Sequence, residues 1–475
     1  MLRRLSVLLV AALISCSSQV RKPESGVAAR PGSDAAKQGS QVVLYARATR
    51  ATTLPITWEI RKISLVKADG SQIDLPGSGA SLNLGDLARD QHLVSISDAE
   101  AGGYTGLKVF TRKAFFTDTG SPVGIGSTIT SVDHAISIVA GNAKTLTLVI
   151  DLPTSETARE HLAFAPALSI EDENPRPTGK VVYVSNQGSS TVSVIDKDLK
   201  RVVYNVFVGT RPSALSADRR RNRLYIADSR DGVIYEMDAL SQHLNKATQI
   251  DFVDEPVHIE TIPAKDLLIV VNYGTDTIYL VDSFTLQTIE QIEVGDGPVD
   301  AAYSPVFDLA FVLNSVYGAV SVLDMDTRPT EVDTTLQVEL GPRGLAIDDA
   351  MGWLYISNGG STDMSVIKIE TLAIEKTITI GIGADDVVFD PFSRRVYVGM
   401  AESSEILCVD PHTGVVLYDV PLPSRPGKML FDSDEKKLYV ALPDQDALAV
   451  INPMSRKVEH WIGTGHEPSS IAIRF

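Results

Sequence analysis

Val182-Tyr-Val-Ser-Asn186, Leu224-Tyr-Ile-Ala-Asp228, Leu268-Ile-Val-Val-Asn272, Ala310-Phe-Val-Leu-Asn314, Leu354-Tyr-Ile-Ser-Asn358, Val396-Tyr-Val-Gly-Met400 and Leu438-Tyr-Val-Ala-Leu442 are seven copies of one short apolar strand. Their second residues, Tyr183, Tyr225, Ile269, Phe311, Tyr355, Tyr397 and Tyr439, follow one another at intervals of 42, 44, 42, 44, 42 and 42 residues. So regular a period is the mark of a stacked or circular repeat architecture. Between anchors each copy holds a polar turn, an alternating strand such as Thr277-Ile-Tyr-Leu-Val-Asp282, a third strand, a Gly/Pro-rich turn and a fourth strand. Four short strands at hairpin spacing, with no helical period, make one antiparallel sheet. Such a sheet has two apolar faces and is buried only by its neighbours, and closing the row into a ring leaves only short, protected edges. Seven four-stranded blades around a channel are predicted for residues 180–475.

The repeat region opens on the second strand of a blade, at Val181, and ends on an innermost one, Ser469 to Phe475. The last strand is therefore expected to complete the sheet begun by Val181 to Val208. The repeat, apolar-Tyr-Val-x-Asn followed by Val-x-Val-Ile-Asp and Val-Gly-x-x-Pro, resembles the YVTN family of seven-bladed β-propellers. The last two copies depart from it, ending on Met400 and Leu442 where Asn is expected. The resemblance implies a cell-envelope setting and a binding or scaffolding role, with a minority of members related to lactonases and redox-enzyme propellers.

Upstream, Met1-Leu-Arg-Arg4 precedes an apolar run from Leu5 to Ile14 and then Ser15-Cys16. The run is too short to span a bilayer and has the layout of a secretory signal. Leu13-Ile-Ser-Cys16 resembles the bacterial lipobox, which implies acylation of Cys16, residues 1–15 as signal peptide, and a membrane partner through the lipid; Ser17 after it resembles outer-membrane sorting. Residues 16–41, rich in Ser, Gly, Ala, Lys and Arg, read as a flexible tether. From 42 to 170 short strands are punctuated by hairpin signals such as Asp69-Gly70 and Gly141-Asn142, so an N-terminal β-sandwich is predicted, with 171–179 as linker. Ile60-x-x-Ile-x-Leu-x-x-x-Asp-Gly70, Ala101-Gly-Gly-Tyr-Thr-Gly-Leu107 and Lys144-Thr-Leu-Thr-Leu-Val-Ile-Asp151 resemble a prealbumin-like domain of bacterial lipoproteins. Related folds bind carbohydrate, which draws attention to Trp58, Tyr104 and Phe116. Trp58 shares a strand face with Ile56 and Ile60, however, and is read as core.

Net charge is −17, with acidic residues spread along the chain and no clustered basic surface, which argues against a nucleic-acid partner. The second cysteine, Cys408, lies in the apolar strand Ile406-Leu-Cys-Val409 and is read as a buried hydrophobe. No Gly-x-Ser-x-Gly, P-loop, His-Glu-x-x-His or Cys-x-x-Cys-His motif occurs, and eight scattered histidines do not suit a histidine-rich metal centre. A non-catalytic protein without cofactor or metal is expected.

Polar residues that recur in register, such as Asn186, Asp228, Asn272, Asn314 and Asn358, are expected to brace turns. The informative positions are those where the copies differ. A turn position thirteen residues before each anchor carries Pro212, Pro256, Pro298, Pro342, Ala384 and Pro426, with Pro468 as the seventh. Two residues later, where the chain enters the innermost strand at the channel mouth, stand Ala214, His258, Asp300, Gly344, Asp386, Lys428 and Ser470. His258, Asp300, Asp386 and Lys428 are read either as a ligand or ion site or as channel residues that balance one another. Three functions stay open: a lipid-anchored module binding a protein or glycan through the propeller face, an enzyme (lactonase-like hydrolase or quinone-dependent dehydrogenase) at the channel mouth, and glycan binding by the sandwich.

Overall fold

The computed structural model describes residues 40–49, 55–87, 90–151, 163–164, 166–172, 179–250 and 255–474. Cys16, the signal and nearly all of the expected tether lie outside them. Residues 39–475 form one compact unit.

The seven blades are present as seven four-stranded sheets. Blade 1 is built from Val181–Asn186, Thr191–Asp196 and Arg201–Phe207, and its innermost strand is Pro468–Arg474 from the far end of the chain. The closing ladder pairs Val182 with Ile473, Tyr183 with Ala472 and Val184 with Ile471, antiparallel, as the repeat arithmetic requires. The innermost strands of blades 2 to 7 are Pro212–Asp218, Pro256–Ile262, Pro298–Ser304, Pro342–Asp348, Ala384–Asp390 and Met429–Asp432.

The second and third strands of a blade are buried on both faces, whereas outer strands such as His243–Gln249 alternate toward solvent. The reason is face-to-face stacking. Each apolar cluster of the ring joins two neighbouring blades: Tyr183 and Val194 meet Leu215 and Ile226 between blades 1 and 2, and Tyr397 and Cys408 meet Leu438 and Val440 between blades 6 and 7. The anchor tyrosines sit in these seams and reach forward to the next blade. Tyr183 Oη donates to Ala239 O at 2.7 Å and Tyr225 Oη to Ser283 O at 2.9 Å, so these two rings are buried with their hydroxyls satisfied, whereas the buried Tyr439 hydroxyl has no hydrogen-bond partner among the described residues. Full burial of one such side chain is worth roughly 1.5–3 kcal/mol. The in-register acids brace turns: Asp238 Oδ1 accepts from Leu240 N and Ser241 N, and Asp228 Oδ2 accepts from Thr210 N and Arg211 N.

The N-terminal part is a two-sheet β-sandwich. One sheet runs Ala167–Asp172, Ala143–Asp151, Ser40–Ala48, His92–Ala99; the other, seven-stranded, is centred on Ile56–Val66 and Gly102–Phe116. One apolar core lies between them and contains Trp58, fully buried, with Nε1 donating to Thr111 Oγ1 at 3.2 Å. Tyr104 is also buried, so neither it nor Trp58 offers a free ring face for a sugar, and Phe116, half-buried, packs against the same core.

The sandwich does not hang from the ring. Strand Ser40–Ala48 sends Val42, Leu44 and Ala46 into the sandwich core, while Val43 and Tyr45, on its other face, enter a second core with Val182 and Val202 of blade 1 and Tyr439 and Leu448 of blade 7. That is the seam where the ring closes. Polar contacts reinforce it: Val202 N donates to Gln91 Oε1 at 2.8 Å, Gly463 N to Gln91 O at 2.7 Å, and Trp461 N to Asp90 Oδ1 at 3.0 Å. The predicted linker also differs in its start, because Glu171 and Asp172 continue the strand that pairs with Ala143–Asp151, and Glu171 forms ion pairs with Arg47 and Arg201.

Candidate functional site

The seven residues singled out at the channel mouth all lie at the entrance of the innermost strands, with one difference. In blade 7 the strand begins at Met429, so Lys428 sits in the extended segment just before it. Each of the other strands carries a register shift between the turn position and the site, as between Pro256 and His258 and between Pro298 and Asp300. The bulge tilts the following side chain toward the axis.

The four ionisable side chains come together. Lys428 Nζ donates to Asp300 Oδ2 at 2.6 Å and to Asp386 Oδ1 at 3.0 Å, and His258 Nδ1 lies 2.9 Å from Asp300 Oδ1. The lysine of blade 7 therefore reaches across the opening to blade 4 as well as to its neighbour, blade 6. Asp386 Oδ2 accepts from Met429 N at 2.7 Å, and Asp300 Oδ1 from Ala301 N at 3.0 Å, so both carboxylates are also held by backbone. Gly344 makes the arrangement sterically feasible: a Cβ there would stand 2.9 Å from Asp386 Oδ1 and 3.0 Å from its Cα. Ser470 Oγ accepts from Leu215 N, and Ala214 is absorbed into the core between blades 2 and 3.

Burial opposes the charge on Lys428, but the facing Asp300 and Asp386 carboxylates overcome it and hold the ammonium protonated far above its ordinary range. Burial likewise opposes ionisation of Asp300, and Lys428 with His258 reverses the sign, keeping this carboxyl well below the usual value. Asp386 goes the other way: burial outweighs the attraction of Lys428, and the nearby Asp300 charge adds to the upward shift. One cation thus stands between two unequal carboxylates, Asp300 favoured as the anion and Asp386 disfavoured as one.

The four side chains line a cavity of about 510 Å³ together with Ser216, Glu260, Thr261, Val388 and Leu430. Glu260 is the residue that sequence reasoning missed. Burial pushes its carboxyl up to about 7, with His258 opposing and Asp300 assisting. A signal existed: its register position holds Ser216, Ala302, Ala346, Val388, Leu430 and Ala472 in the other copies, so Glu260 is the lone acid there. Cys408 is buried as expected, its thiol pushed up mainly by burial.

Comparison with known proteins agrees with this architecture. Residues 254–467 match a family model described as YNCE-like β-propeller. Among solved structures, a putative 6-phosphogluconolactonase from Bacteroides uniformis superposes with a TM-score of 0.53 at 16% identity, covering 62% of this chain and 99% of the other. A functionally unknown protein from Desulfotomaculum acetoxidans gives 0.55 at 12% identity, with the same 62% and 99% coverage. Kuenenia stuttgartiensis hydrazine synthase gives 0.49 at 19% identity, over 55% of this chain and 88% of that one. No curated protein matches the sequence. At these identities the likeness is one of fold, and the family match with the first two superpositions gives that fold as the β-propeller.

Proposed function

We propose that this chain is a non-catalytic binding module of the cell envelope, of the YVTN propeller type, tethered through a lipid on Cys16 and acting through a face of the ring. The observation that carries the reading is the state of the channel mouth. Lys428 is committed to Asp300 and Asp386, and Asp300 to His258 as well, so these charges serve one another and tie blades 3, 4, 6 and 7 together across the axis. Lys428, Asp300 and Asp386 have their charged atoms taken up by one another, so an enzymatic reading would have to run through His258 Nε2 and the Glu260 carboxyl instead. The lactonase-like alternative rests on the resemblance to the YVTN family and on the name of one neighbour of similar fold. Glycan binding by the sandwich loses support from Trp58 and Tyr104, whose rings are taken up by its core, and from Phe116, which packs against it.

The test pairs two measurements on the full-length protein. Metabolic labelling with palmitate followed by membrane fractionation should give a labelled, membrane-bound wild type and an unlabelled, soluble Cys16→Ala variant. Incubation with a panel of lactones and alcohols, with added quinone and calcium, should give no turnover. Turnover that disappears in Asp300→Asn would reverse the assignment.

A further inference from the structure

The two faces of the ring differ, and one of them carries a lopsided surface. Connections between second and third strands, and between an outer strand and the next blade, lie on the same face. Among the described residues, the large apolar side chains exposed there are Tyr273, Val316, Tyr317, Leu340 and Ile382, at 41%, 50%, 68%, 62% and 60% exposure. All five belong to blades 3 to 6 and the connections between them. Among the described residues, which leave out 251–254, the corresponding connections of blades 7, 1 and 2 carry none.

The five form a continuous arc on a glycine floor. A Cβ on Gly297 would lie 2.7 Å from Val316 Cγ2 and 3.4 Å from Tyr273 Cε2, so these two side chains flank it. One on Gly318, beside Tyr317, would lie 2.6 Å from Glu339 O, and one on Gly360 3.0 Å from Leu340 O. Gly383 N, next to Ile382, donates to Gly359 O at 3.3 Å, which completes the path. Side chains at these glycines would fill the surface that the apolar residues border.

Six carboxylates rim the arc: Glu255, Asp276, Asp296, Glu339, Asp385 and Glu402, exposed or half-buried. Among the described residues none of them is in an ion pair, and the arc's own basic side chain is Arg343. On the other half of the same face two of the acids have a basic partner, Asp444 with Arg425 and Asp446 with His466 Nδ1 at 2.7 Å, while Asp231 and Glu467 stand without an ion pair among the described residues. Unspent negative charge around exposed aromatic and aliphatic groups has one complement, a surface that is both cationic and apolar. A second copy of this chain, with net charge −17, and an anionic lipid surface are both repelled by that rim.

We propose that the arc over blades 3 to 6 docks a basic polypeptide segment whose apolar side chains lie on the Tyr317–Leu340 stretch while its Lys or Arg residues face the rim. The inference rests on the binding-module reading and specifies its partner. Fluorescence anisotropy of a fluorescein-labelled synthetic peptide of repeating Lys-Leu-Lys-Trp units, titrated with the full chain, tests it. Binding should weaken at least tenfold in Tyr317→Ser/Leu340→Ser and in Asp296→Lys/Glu339→Lys, and should weaken as salt rises from about 0.05 M to about 0.5 M. It should be unchanged in Leu199→Ser/Leu240→Ser, which alters exposed positions on the opposite face. All substitutions are at surface positions, and unchanged melting curves would show that the fold persists. Absence of wild-type binding, or equal binding by arc and control variants, overturns the proposal; in the second case a binding module with another working surface survives. Self-association of the wild type that disappears in Tyr317→Ser/Leu340→Ser overturns it too, by showing that a second copy occupies the arc.

Discussion

Replacing Lys197 by Met should be among the most damaging single changes in the ring. Lys197 follows Asp196 at the turn after the third strand of blade 1, and its side chain is completely buried against blade 7, in an ion pair with the equally buried Asp432. Glu435 lies 3.8 Å away and is shared with Lys200 at 2.9 Å. Lys197 thus joins the first and last blades at the seam where the chain closes. Removing one partner of a buried pair leaves an ion with its nearest countercharge gone, at a cost of about 3–5 kcal/mol. Replacing both by apolar side chains, as in Lys197→Met/Asp432→Leu, removes the buried charge along with its partner and should bring stability back to within about 1 kcal/mol of wild type. Lys200→Met, which breaks a half-exposed pair at the same seam, should cost less than about 1 kcal/mol. Equilibrium urea unfolding of these three variants and of Asp432→Leu alone, followed by tryptophan fluorescence, measures these differences. If Lys197→Met costs no more than Lys200→Met, or if the double variant costs the sum of its singles, the seam is not held in the way described.

Two further outcomes follow from the channel. Glu260 has its folded-state pKa raised from 4.5 to about 7, so the protonated acid is favoured in the native state; its contribution is complete below about pH 4.5 and is lost as pH rises past 7. Glu260→Gln should therefore match wild type near pH 4 and exceed it at pH 8 by up to about 3 kcal/mol, and a difference independent of pH would contradict the assignment. Gly344→Ala places a methyl against Asp386 and should lower stability by about 1–3 kcal/mol in the same urea assay, whereas an unchanged midpoint would mean that the mouth is looser than its contacts indicate.

The blades were readable because repetition multiplies a weak signal. One apolar strand says little, but seven at a constant interval fix strand order, blade number and the closing ladder between Val181–Asn186 and Pro468–Arg474. The channel-mouth residues were legible for the same reason, since equivalent positions in a ring converge on its axis. Their mutual pairing was not, because it depends on which blades face each other and on the room left by Gly344. Glu260 and Lys197 escaped for a related reason: each is a lone charge in a register column away from the channel-mouth position. Lys197 stands where the other copies have Ala239, Ser283, Met325, Ile369, Pro411 and Pro453, so a lone charge in an uncharged column was the available clue. The clamp of the sandwich on the seam had a fainter trace. Strand Ser40–Ala48 is apolar at consecutive positions from Val42 to Ala46, which marks a strand buried on both faces, and its second face needed a partner outside the sandwich.

Circular closure underlies the account of the seam, the channel and the docking arc. Hydrogen–deuterium exchange of the intact protein, read by mass spectrometry over Val181–Asn186 and Pro468–Arg474, tests it most directly. The two segments should exchange together and only with global unfolding, as slowly as the strand Leu268–Asn272 in the interior of blade 3. Rapid exchange of Pro468–Arg474, with Val181–Asn186 protected only on its Thr191–Asp196 side, would mean that the ring is open.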